Sequence, residues 1–85
     1  MGLRMRLDKF LKVSRLIKRR TVANEACDGR RVSVNGRLVK ASYDVKPGDE
    51  IEIRYVGKSL KVEVLTVSEH VLKSEAPAMY REVVP

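Results

Sequence analysis

The residues of this 85-residue chain best placed to do chemistry are its cations. Arg6, Lys9, Lys12 and Arg15 recur at three-residue spacing, Lys18, Arg19 and Arg20 form an unbroken run, and Arg30, Arg31, Arg37 and Lys40 follow. Their distribution is lopsided. Met1 to Lys40 holds twelve basic and three acidic residues, a charge of +9, whereas Ala41 to Pro85 holds six and eight, a charge of −2. Segregation of this kind builds one electropositive face, and the chemistry of such a face is the neutralisation of phosphates. If about five of these cations meet phosphates of single-stranded or looped RNA, affinity falls with the logarithm of salt at a slope of roughly −3.5. The only phenylalanine, Phe10, is wanted by the core, leaving Tyr43, Tyr55 and Tyr80. Recognition by backbone shape and phosphate position is therefore favoured over the reading of splayed bases.

Catalysis asks for convergent groups, and the other candidates do not converge. His70 stands alone beyond the strands, with no cysteine or carboxylate at useful spacing. Cys27 falls on the apolar side of a helix, where a thiol is a small buried hydrophobe; as the only cysteine it forms no internal disulfide and leaves too few soft ligands for zinc. Glu50 and Glu52 share a sheet face, but Arg54 and Lys61 beside them make a solvated charge pattern. Gly29, Gly36, Gly48 and Gly57 each have a turn role, so no phosphate loop is formed. The expectation is a non-enzyme with no metal and no cofactor. A chain of this length makes one domain, burying roughly 60% of its unfolded surface, too little for a core plus a deep, dry cleft. No apolar run approaches the ~20 residues that span a bilayer and no signal-like segment opens the chain, so a cytoplasmic protein without a membrane partner is expected.

The elements that must position the cations are legible as two grammars. Leu7, Phe10, Leu11, Ser14 and Ile17 mark one helical face, with Lys9, Lys12 and Arg15 opposite, and Asp8 suits the start as an N-cap or first-turn anion. A second helix places Val22, Ala23, Ala26 and Cys27 on one side and Arg20, Thr21, Asn24 and Glu25 on the other, stopping near Gly29. Period two then takes over. Val32 to Val39 reads as two strands joined by Asn35-Gly36, Lys46-Pro47-Gly48-Asp49 is a turn, Ile51 to Tyr55 is a strand, and after a turn at Gly57-Lys58 another runs from Leu60 to Val64. The fold class is α+β: two N-terminal helices packed on a small antiparallel β-sheet. Residues 1–5 read as an N-terminal extension, 6–67 as the RNA-binding domain, and 68–85 as a C-terminal tail without a clear period.

In order along the chain, Arg6-Leu7-Asp8-Lys9-Phe10-Leu11, then Arg15, Arg20 and Ala23, then Val32-Ser33-Val34-Asn35-Gly36, and finally Lys46-Pro47-Gly48-Asp49-Glu50-Ile51 resemble the S-four RNA-binding domain, the αL motif. The resemblance covers Arg6 to about Tyr55. Within that superfamily the run from Arg6 to Thr21, the length and Ala78-Met79-Tyr80 are most similar to the RqcP family, Gram-positive relatives of the fifteen-kilodalton heat-shock protein. The resemblance implies a ribosome-associated quality-control factor. Its partners would be obstructed large ribosomal subunits, their rRNA and the P-site peptidyl-tRNA, together with an RqcH-type factor that adds C-terminal alanine tails; a monomer is expected. By the same resemblance Arg6 and Arg20 lead the RNA contacts, Lys9, Lys12, Arg15, Lys18 and Arg19 surround them, and Asp8 orients its basic neighbours or caps the helix.

Two positions depart from the family pattern. Gly29 falls one position early and Arg30 takes the glycine site, so either the helix ends a residue sooner or Arg30 is left-handed at a cost of about 1 kcal/mol. Arg19 stands where a small polar residue often caps the second helix. Three rival readings are a ribosome-assembly or tRNA-binding factor with the same domain, an RNA-modifying enzyme with this domain as an appendage, and a β-grasp sulfur carrier. The enzyme has no residues left for its catalytic domain. The carrier requires a terminal Gly-Gly, and this chain ends Val83-Val84-Pro85.

Overall fold

The helical periodicity that begins at Leu7 folds as a helix, but a shorter one than the pattern suggests. In the computed structural model, which describes residues 5–69 and 71–83, α1 spans Leu7–Val13 and α2 spans Arg20–Asp28. Met1 to Arg4 and His70, considered above, lie outside the described residues. The chain leaves α1 at Ser14, whose buried hydroxyl donates to the Leu11 carbonyl at 3.3 Å, and Arg15 then takes φ 67°. Ile17 keeps its apolar role by folding back, its N–H reaching the Leu11 carbonyl at 3.0 Å. A turn therefore replaces the last helical turn, and Arg15 does not climb the α1 face with Lys9 and Lys12.

The start of α1 is capped by a distant segment. Its first free N–H groups, which have no intrahelical acceptors, are each accounted for: Leu7 donates to the Tyr43 carbonyl at 2.8 Å, Asp8 to the Ala41 carbonyl at 3.1 Å, and Lys9 to the Asp8 carboxylate at 2.8 Å. Arg6 is the N-cap residue and pairs in a single bridge with Asp44, flanked by a 2.8 Å bond from the Val45 N–H to the Met5 carbonyl. Residues 41–45 thereby fix the direction in which α1 presents its side chains.

Helix α2 ends by a motif that normally uses glycine. The Arg30 N–H bonds to the Cys27 carbonyl at 3.1 Å and the Arg31 N–H to the Ala26 carbonyl at 3.0 Å, the paired bonds of a Schellman ending. The left-handed residue is Arg30 at φ 59°, while Gly29 sits at φ −80°. Of the two endings open from the sequence, the left-handed arginine is the one adopted. Arg30→Gly is accordingly expected to raise stability by about 1 kcal/mol, a melting-temperature gain of about 5 °C, measurable by thermal denaturation. An unchanged or lower melting temperature would show that Arg30 is held by contacts worth more than its backbone strain. Val22, expected on the apolar side of α2, is instead 46% exposed; the buried stripe is Ala23, Ala26 and Cys27, narrow because α2 meets α1 through small residues.

Five antiparallel strands follow: β1 Val32–Val34, β2 Arg37–Leu38, β3 Glu50–Tyr55, β4 Lys58–Val64 and β5 Tyr80–Glu82, in the spatial order β2-β1-β3-β4-β5. The α+β architecture expected from the sequence is present. Asn35 and Gly36, at φ 53° and 83°, form the two-residue turn between β1 and β2, although Val39 lies just past the strand. The turn before β4 is Val56-Gly57, one position earlier than expected. Buried Asp49 ties the sheet's loops together, accepting from Asn35 at 3.1 Å, the Tyr43 hydroxyl at 3.1 Å and the Lys46 N–H at 3.0 Å. Alternation puts Val32, Val34, Ile51, Ile53, Val62 and Val64 against Leu7, Phe10 and Leu11 in one core. The segment after Ser68 also contributes: a 3₁₀ turn at Ala76–Met79 buries Ala76 and Met79, and β5 pairs with β4. A four-residue turn with Pro77 at its second position and a three-residue strand are too short to show a period.

Candidate nucleic-acid interface

Two arginines, Arg6 at the start of α1 and Arg20 in the first turn of α2, meet on one buried acid. Asp8 faces α2 from the first turn of α1, with its side chain 3% exposed. Arg6 grips it as a fork, Nε to Oδ1 at 3.2 Å and Nη2 to Oδ2 at 3.3 Å. Asn24 Nδ2 donates to Oδ2 at 3.2 Å, and Arg20 Nε lies 3.5 Å from the same oxygen. Burial by itself would raise the Asp8 pKa, but the hydrogen bonds from Arg6 and Asn24 and the charges of Arg20 and Arg6 outweigh it and hold the carboxyl below its ordinary value. Asp8 therefore stays ionised at neutral pH. Both arginine side chains remain about half exposed: Arg6 has one edge fixed to Asp8 by its fork, Arg20 is drawn to the same carboxylate by a single ion-pair contact, and each keeps donors for a ligand.

Further cations extend from this hub. Arg6, Asn24, Arg30, Leu38, Lys40 and Ser42 line an open groove of about 640 Å³ between α2 and the β1–β2 hairpin. Lys12 and Arg15 line a second groove of about 300 Å³ at the other end of α1, beside Glu69, Val71 and Leu72. Lys9, between the two, is paired with Glu69 at 3.3 Å. Lys18 and Arg19 are exposed in the connection to α2, whose N-terminus has no side-chain cap because Arg19 occupies the capping position. Arg31 and Arg37 are exposed and line neither groove. The structure thus gathers Arg6 with Arg20 on Asp8, and Arg6 with Arg30 and Lys40 along one groove.

The helical hub, its cap and the hairpin lie within a span that a known domain covers: the S4 domain matches residues 5–51. The chain belongs to the S4 domain family. Among S4 domain proteins, the RQC P-site tRNA stabilizing factor of Bacillus subtilis is 57% identical over 76 residues, covering 89% of this chain and 88% of that protein. The protein of the same description from Streptococcus pneumoniae is 54% identical over 76 residues, covering 89% and 86%. Heat shock protein 15 of Vibrio cholerae, solved as a trimer, superposes with a TM-score of 0.87 at 30% identity, over 95% of this chain and 83% of its own. This S4 domain protein therefore groups with the RqcP relatives that its sequence resembles.

Against that S4 framework the other chemical candidates fall into structural roles. Cys27 is buried, and burial first, then the charges of Asp8 and Asp28, push its thiol up to about 11, leaving it protonated and unreactive at neutral pH. Glu50 pairs with Lys61 at 3.4 Å, in line with the charge pattern expected for that face, and Glu63 pairs with Arg81 of β5, a pair not expected from the sequence. Among the described residues no group of three or more potential ligands could hold a metal, and no helix is long and apolar enough to cross a membrane. Two members of the hub and its support were not singled out from the sequence. Asn24 is one, although its spacing of four from Arg20 on one face of α2 was the available signal. The other is the 41–45 segment, whose backbone contacts to α1 leave no trace in residue type.

Proposed function

We propose that the protein is an RNA-binding factor of ribosome-associated quality control. It binds obstructed large ribosomal subunits, contacts rRNA and the P-site peptidyl-tRNA together, and by holding that tRNA supports the alanine tailing carried out by an RqcH-type partner. It acts in the cytoplasm, as a monomer, without catalysis or a cofactor. The observation that carries this reading is the Asp8 hub: a half-exposed Arg6 held as a fork and a half-exposed Arg20 drawn to the same carboxylate, on an S4 domain whose relatives are named P-site tRNA stabilizing factors. Fixed forks recognise phosphates at defined spacing. Arg6, Lys9, Lys12, Arg15, Lys18, Arg19, Arg20, Arg30, Arg31, Arg37 and Lys40 supply the phosphate contacts, with Arg6 and Arg20 first.

Sedimentation of the tagged protein from cell extract tests the reading. Enrichment on large subunits that carry peptidyl-tRNA, lost when the tRNA is released by puromycin or hydrolysis, is the expected result. Equal recovery on vacant or immature subunits would favour a ribosome-assembly factor instead. Absence from large subunits would overturn both.

A further inference from the structure

We propose that the tip of the β3–β4 hairpin is a second RNA-contact surface, where Tyr55 stacks on an unpaired base and Arg54, Lys58 and Arg31 hold the adjoining phosphates. The inference rests on the RNA-binding reading and adds a surface that shares no residue with the Asp8 hub. Strand β1 stops pairing with β3 at Val32 opposite Ile53, so β3 and β4 continue beyond it as a two-stranded finger, with Arg54 opposite Ser59 and Tyr55 opposite Lys58. Val56 and Gly57 close the finger, Gly57 at φ 81°. Val56 is fully exposed and Tyr55 is 42% exposed, and neither side chain belongs to the core, so the finger ends in an aromatic ring and a branched apolar side chain open to solvent.

The charges around them are unspent. On the central and outer strands Lys61 is neutralised by Glu50 and Arg81 by Glu63, whereas among the described residues Arg31, Arg54 and Lys58 at the finger, like Arg37 on β2, have no ion pair. The Arg54 N–H donates to the Arg31 carbonyl at 2.8 Å, which fixes Arg31 beside the base of the finger. An exposed ring bordered by unpaired cations is the combination that binds single-stranded nucleic acid, the ring taking a base and the cations its backbone. One tyrosine and one valine offer too little apolar area for stable insertion into a bilayer. The unpaired positive charge selects a polyanion over an ordinary protein surface.

The test uses the full chain with large ribosomal subunits carrying P-site tRNA. Val56→p-benzoylphenylalanine protein, irradiated in that complex, is expected to form RNA adducts. Tyr55→Ala is expected to weaken binding about fivefold, and the double variant Arg54→Gln with Lys58→Gln to make the salt slope less negative by about 1.4, with circular dichroism unchanged. If the parent protein binds the subunits but the tip variants match it in affinity and slope and no RNA adduct forms, the tip assignment falls and the hub remains. Adducts confined to ribosomal protein, or tip-dependent binding to phosphatidylglycerol vesicles without RNA adducts, also overturn it. Failure of the parent to bind subunits removes the RNA-binding reading and the tip with it.

Discussion

Asp8→Asn is expected to weaken binding to large ribosomal subunits about tenfold even though it raises the net charge by one unit. A cation-rich face governed only by total charge would bind more tightly after losing an acid. The geometry predicts the reverse, because Asp8 holds the Arg6 fork and the Arg20 guanidinium in place. Freed from it, both long side chains regain rotamer freedom that RNA must then remove again. The same substitution should cost about 2 kcal/mol of stability, the scale of hydrogen bonds to a charged group discounted for the half-exposed arginines, and lower the melting temperature by about 10 °C. The pH dependence gives an independent check. Since the folded-state pKa of Asp8 lies below its unfolded value, its contribution is complete above the unfolded value and is lost as pH falls through the folded one. The stability gap between parent and variant should be constant from about pH 5 to 8 and close below about pH 4. Tighter RNA binding by Asp8→Asn would reduce Asp8 to a counterion.

How much of this arrangement the sequence discloses depends on the range of the interaction concerned. The hairpin at Asn35-Gly36 and the turn at Pro47-Gly48 were legible because turn chemistry is local: positive φ at 53°, 83° and 93° demands residues that tolerate it. The apolar face of α1 was legible for the same reason, yet its length was not. The helix ends at Val13 because residues beyond it turn back onto Leu11, a tertiary preference that periodicity cannot see. β5 escaped notice because its pairing with β4 is long-range and three residues long. In the site, the family resemblance put Arg6 and Arg20 first and had Asp8 orient its basic neighbours or cap the helix; that the second ion-pair partner of Asp8 is Arg20 of α2, and not the adjacent Lys9, shows only once the helices are packed. Asn24, by contrast, reads as one more polar residue until α1 and α2 are packed and its amide is found on the Asp8 oxygen. Tyr55 reads as a lone aromatic until the register shows that β3 outruns β1.

The second prediction concerns the two arginines themselves. Arg20→Gln should reduce subunit affinity about 30-fold, since one charge-assisted phosphate contact is worth about 2 kcal/mol and each 1.4 kcal/mol is about tenfold. Stability should change by less than about 1 kcal/mol, because Arg20 makes a single 3.5 Å approach to Asp8 from a half-exposed position while the Arg6 fork and Asn24 remain. Arg6→Gln should weaken binding comparably but lower the melting temperature more, as it removes both fork bonds. Each loss should make the salt slope less negative by about 0.7. The double variant separates a hub from two independent charges. If both guanidinium groups are positioned by Asp8 for one cluster of phosphates, the combined loss is smaller than the sum of the single losses, because the first removal already spoils the geometry that the second residue uses. Strict additivity would mean two unconnected contacts. A retained affinity with an unchanged salt slope in either single variant would move the phosphate clamp away from Asp8, toward the groove lined by Arg30 and Lys40.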